Sequence, residues 1–110
     1  MNFHVSVTHE PGFARVQVSG PAGLGRLFSL LQVVQVDSAT WPHRALLLDM
    51  RELQPPLSDD EQAQLAAAIA VGLANLKRIA ILAGPGAARE AGGLRAFDDE
   101  AQACKWLRAA

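Results

Sequence analysis

Chemistry in this chain would have to start from Asp49 and Glu52, two carboxylates closing the short apolar run Leu46-Leu47-Leu48-Asp49-Met50. A carboxylate at a strand end serves as a general acid or base when a His, Cys or Lys is set beside it. No such residue stands next to this pair in the chain, so an ion pair with Arg51 or Arg89 is the better reading. Ser58 follows, just ahead of Asp59-Asp60-Glu61. A phosphate on a serine at a helix start gains from the free N–H groups and the helix dipole. The same serine, three residues before a glutamate, is also one half of a reciprocal cap. The three acids would repel an added phosphate, which favours the cap. Gly84-Pro85-Gly86 with Arg89 has the look of an anion-binding loop after a strand, and Asp49 would share that end of the sheet. Arg89 replaces the third glycine of a dinucleotide fingerprint, and the chain lacks a second half-domain, so a dinucleotide site is not expected. His4 and His9 have no further ligand at metal-binding spacing and read as solvated strand or turn residues. Cys104 falls on the apolar side of a helical pattern and reads as core.

These residues need a scaffold, and residues 44–76 supply its centre. Leu46-Leu47-Leu48 is apolar without alternation, as befits a strand covered on both faces. Pro55-Pro56 forces a loop, and the Ser58–Glu61 pairing opens a helix whose apolar face is Leu65, Ile69, Leu73 and Leu76. Before this centre, Phe3 to Thr8 and Phe13 to Ser19 alternate apolar and polar residues around Glu10-Pro11-Gly12, the pattern of an antiparallel hairpin with one face buried. Leu24, Leu27, Phe28, Leu31 and Val34 then recur at helical spacing. After the centre come the apolar strand Lys77 to Ala83, a short helix over Ala87 to Ala91 ended by Gly92-Gly93, and an edge strand Leu94 to Phe97. A last helix is opened by Asp98-Asp99-Glu100, with Ala101, Cys104, Trp106 and Leu107 on its buried side. The resulting order is β-β-α-β-α-β-α-β-α. It predicts an α/β domain over residues 1–110 with one mixed, mostly parallel sheet of about five strands, an N-terminal hairpin and right-handed crossovers.

Composition narrows the function classes. The 110 residues are half hydrophobic and 19% charged with a net charge of −1, so one globular domain is expected. No basic stripe suggests nucleic acid. The apolar run Leu65 to Ala74 is about half of the ~20 residues a membrane span requires. One cysteine and an N-terminus without a charged-then-apolar pattern point to the cytoplasm.

The element order, Leu46-Leu47-Leu48-Asp49, Lys77-Arg78-Ile79-Ala80-Ile81 and the ending Phe97-Asp98-Asp99-Glu100-Ala101-Gln102-Ala103-Cys104-Lys105-Trp106-Leu107 resemble SpoIIAA-like proteins of the STAS-like group. The resemblance covers almost the whole chain, through packing patterns. It implies the fold shared with anti-sigma-factor antagonists and likened to lipid-binding Sec14 domains. In the antagonists a phosphorylated Ser or Thr stands at the helix start after the central strand, the place Ser58 occupies here. The antagonists carry Asp with a Ser pair or Ser-Gly there, whereas this chain has Leu57-Ser58-Asp59-Asp60, a departure from the switch motif.

The expected function is a small non-catalytic regulatory or protein-interaction module without metal or cofactor. A protein partner is expected, with a homodimer formed through the apolar helices at Leu30, Val33, Ala67 and Val71. The alternative is a binder of a small apolar or anionic ligand, a lipid or nucleotide, in a pocket between helices and sheet.

Overall fold

The apolar run at the centre of the sequence becomes β3 (Ala45–Leu53), whose first six residues are all buried. The computed structural model describes residues 3–21, 23–53, 57–82, 90–91 and 94–109. Ahead of β3 lie β1 (His4–Glu10), β2 (Phe13–Gly20) and α1 (Leu24–Ser38). After it come α2 (Asp59–Gly72), β4 (Arg78–Leu82), β5 (Glu90–Ala91), β6 (Leu94–Phe97) and α3 (Glu100–Arg108). The sheet runs β1-β2-β3-β4-β6-β5. β2, β3, β4 and β6 are parallel, and β1 and β5 pair antiparallel at the two edges. Gly12 makes the hairpin turn at φ 93°, where a residue with a Cβ is strained.

Burial on both faces of β3 follows from a three-layer arrangement. Leu46, Leu48 and Met50 join Val16, Val18, Ile79 and Ile81 under α1 and α2. Leu47 and Ala45 point the other way and join Phe13, Ala80 and Leu82 under Ala103 and Leu107 of α3. The side chains at Ala45 and Ala80 are small, so α3 can lie close to the sheet. Between the other two helices, Gly72 faces Leu31 and Gln35, where a Cβ would come within 3.6–3.8 Å of their side chains.

The fold class is the one expected, and four details differ. The short helix expected over Ala87 to Ala91 ends instead in β5, whose Glu90 and Ala91 pair with Arg95 and Leu94; residues 83–89 lie outside the described ones. Pairing along the free side of β6 gives these backbone groups partners, and it makes β6 an inner strand with an antiparallel edge beyond it. The alternation in β1 predicted one buried face, yet Val5 and Val7 are 40% and 47% exposed. They stand beside the buried Val18 and Val16, but no helix reaches over the hairpin edge to cover them. On α3 the innermost small residue is Ala103, whereas Ala101 is exposed. Helical rotation accounts for this last difference, because Ala103 and Leu107 lie one turn apart on the same face. Cys104 and Trp106 flank that face partly buried.

Candidate functional site

The carboxyl ends of the parallel strands, where α2 and α3 begin, carry Asp49, Glu52 and Ser58 of the residues singled out from the sequence. Ser58 is the N-cap of α2. Its Oγ accepts a hydrogen bond from the Glu61 N–H at 3.2 Å, and its own N–H donates to Glu61 Oε1 at 3.0 Å. With Asp59, Asp60 and Glu61 in the first turn, the helix start is already matched to its dipole. Ser58 is exposed, and its hydroxyl is engaged as an acceptor.

Asp49 is only 1% exposed and sits on the α3 side of the sheet. Arg51, two residues along the same face, surrounds it. The Arg51 N–H and Nε donate to Oδ1 at 3.1 Å, and Nη2 donates to Oδ2 at 2.9 Å. The same Nη2 reaches Glu100 Oε1 at 2.9 Å, and Arg15 Nη1 meets that oxygen from the other side at 2.9 Å. Arg15 Nε closes the chain on Glu10 at 2.5 Å, and Arg15 Nη2 approaches Cys104 Sγ at 4.0 Å. The result is an alternating line of charge, Asp49–Arg51–Glu100–Arg15–Glu10. It ties the first turn of α3 and the β1–β2 hairpin to the central strand.

Electrostatics follow the geometry. Burial by itself pushes the Asp49 carboxyl up, but the bonds and charge of Arg51 outweigh it and hold the group below the usual carboxylate range. Glu100 is held low chiefly by its hydrogen bond to Arg15. Arg51 is raised, first by its bond to Asp49. For Arg15, burial acts downward, and the bonds to Glu10 and Glu100 raise it overall. Asp49, Arg51, Glu100 and Arg15 therefore stay ionised near neutral pH, and the line serves as a clamp. Among the described residues no cluster of three or more His, Cys, Asp or Glu side chains could hold a metal ion.

The other expected residues fall elsewhere. Gly84, Gly86 and Arg89 lie outside the described residues, so Asp49 is the one member of that loop whose surroundings are visible. Leu30 is partly buried against the core, while Val33 and Val71 are 64% and 82% exposed and Ala67 is exposed on α2, one turn before Val71. The expected space between the helices and the sheet exists, lined by Leu27, Leu30, Leu31, Val34, Leu65 and Ile69 among others, but its volume is about 20 Å³. That is room for about one water and not for an acyl chain. Arg15, Glu10 and Glu100 were not singled out from the sequence. The available signal was a lone arginine amid the alternation of β2, but its partners come from the hairpin turn and from a helix far along the chain.

The order of elements, two helices on one face and one on the other, and a capped helix after the central strand define a SpoIIAA-like α/β fold. No family model matches the chain, and no curated protein matches it. Solved structures do. An anti-sigma factor antagonist from Mycobacterium paratuberculosis is similar with a TM-score of 0.64 and 18% identity, covering 97% of this chain and 95% of that one. An uncharacterized protein of the DUF3478 family with a SpoIIAA-like fold, from Shewanella loihica, is similar with a TM-score of 0.55 and 19% identity, covering 96% and 93%. At such identities the likeness establishes the fold.

Proposed function

We propose that this chain is a non-catalytic regulatory module that works by protein contact, and that it associates with a second copy through the outer face of α1 and α2. The observation that carries this reading is the exposure of Val33 at 64%, Val36 at 76% and Val71 at 82% on two adjoining helices. Gly72 brings α2 against Leu31 and Gln35 of α1, so Val71 and Val36, their chain neighbours, flank that line of approach. Large apolar side chains on such a face mark a contact surface, and a two-fold dimer is the commonest way to cover it. The name of the antagonist with the similar fold describes a protein that acts on another protein, which supports the same class. In this reading Ser58 is a helix cap, and the ion line from Asp49 to Glu10 is structural.

Sedimentation velocity tests the self-association. The wild-type chain should run as a dimer at tens of micromolar, and Val33→Glu with Val71→Glu should give a folded monomer. Leu30 is left intact because a charge there would enter the core contact. A wild-type chain that stays monomeric would remove the second copy from this reading.

A further inference from the structure

At the end of the sheet opposite Ser58, where the parallel strands begin, a groove of about 410 Å³ opens among Pro42, His43, Arg44, Lys77, Leu107 and Arg108. Three separate parts of the chain bring its cations together: the lead-in to β3, the connection from α2 to β4, and the last turn of α3. Among the described residues no carboxylate lines the groove, and none of the three cations has an ion pair. Arg15 and Arg51, by contrast, are each paired with two carboxylate partners.

Two of the three cations are held in place without being neutralised. Arg44 donates from Nη1 to the carbonyl of Asn75 at 3.0 Å. Arg108 donates from Nε to the carbonyl of Pro11 at 3.3 Å and lies over the Phe13 ring, 5.3 Å from its centroid. These contacts leave Nη2 of Arg44 and both Nη groups of Arg108 without a partner among the described residues. A guanidinium fixed in this way presents the fork that suits phosphate oxygens. Helix ends explain part of the arrangement, since arginine favours the carbonyls that close a helix. Lys77 is not explained so. It follows Leu76 in the connection before β4, and its side chain has no partner among the described residues. Three like charges around one concavity repel each other, and an anion between them converts that repulsion into attraction.

We infer that this groove binds a small soluble phosphorylated molecule, with Arg44, Lys77 and Arg108 on its phosphate oxygens and the exposed Pro42 against its apolar part. The volume falls in the range of about 300–1,000 Å³ typical of small-molecule sites. A recess of this kind suits a discrete ligand better than a flat lipid surface. The site goes beyond the protein-contact reading and stands on different residues.

NMR titration of the full ¹⁵N-labelled chain with inorganic pyrophosphate tests it, with sodium chloride at matched ionic strength as the control. Saturable shifts should appear at the amides of Gly12, His43 to Ala45, Lys77 and Arg108, and not at Ser58 to Glu61. Lys77→Gln should weaken binding roughly tenfold, the scale of one charge-assisted hydrogen bond. Its spectrum should otherwise be unchanged, because the Lys77 side chain is exposed. Lys77→Arg should keep most of the affinity and shows that a loss in the glutamine variant is one of charge. Shifts that do not saturate, or binding that Lys77→Gln leaves intact, would overturn the assignment. So would a chain that ignores pyrophosphate but sediments with phosphatidylglycerol vesicles.

Discussion

The N–H, the hydroxyl and the carbonyl of Ser58 are all engaged at the start of α2, and this sets what a substitution there should do. Ser58→Ala removes the acceptor for the Glu61 N–H and should lower stability by about 0.5–2 kcal/mol in denaturant melts. Ser58→Asp keeps an acceptor at the cap and should be close to neutral. If this serine were instead a switch, Ser58→Asp would abolish a partner contact that Ser58→Ala preserves, and a pull-down would reveal that pattern. Asp49 makes a second test, through pH. Its carboxyl is a stronger acid in the folded chain than in the unfolded one. Its contribution is therefore complete above the unfolded value of about 4 and is lost as pH falls through the lower folded value. Asp49→Asn should cost about 1–3 kcal/mol at neutral pH, since Arg51 loses its partner but can rehydrate. The variant should also lose part of the wild-type decline in stability on acidification, measured by urea melts at stepped pH. A variant with an unchanged acid limb would remove Asp49 from that transition.

At the scale of elements, the two central strands should bear most of the stability. Leu47 is fully buried on the α3 side of β3, and Ile81 is 6% exposed on the opposite face of the neighbouring β4. Truncating either to Ala should cost about 2–5 kcal/mol, seen as a lower denaturant midpoint with an unchanged slope. These strands were legible in the sequence because a run buried on both faces has no alternation to misread. The capping box was legible too, since its two members are three residues apart. What could not be read is whatever depends on a distant neighbour. Val5 and Val7 alternate as though one face were covered, and only the position of α1 shows that it is not. Glu90 and Ala91 suit a helix locally but take the free side of β6. The partnership of Arg15 with Glu100 joins residues that only the packing of α3 brings together.

For the whole molecule, the two ends of the sheet differ in charge. The end where α2 and α3 begin carries Asp59, Asp60, Glu61 and Glu100, and the end where the parallel strands begin carries Arg44, Lys77 and Arg108. Dimerisation through α1 and α2 would leave both ends open, so a second copy and an anion should bind without excluding each other. Sedimentation of the dimer with and without pyrophosphate would expose any such exclusion. The bare outer strand β1 has a further consequence, for the order in which the molecule comes apart. Its neighbour in the sheet is β2 alone, and six of its seven residues are exposed. Detaching it therefore gives up little apolar contact, whereas detaching β3 dismantles both cores. Amide hydrogens of His4 to Glu10 should exchange with solvent through local opening, at rates insensitive to low denaturant. Those of Leu46 to Leu48 should exchange only when the whole chain unfolds.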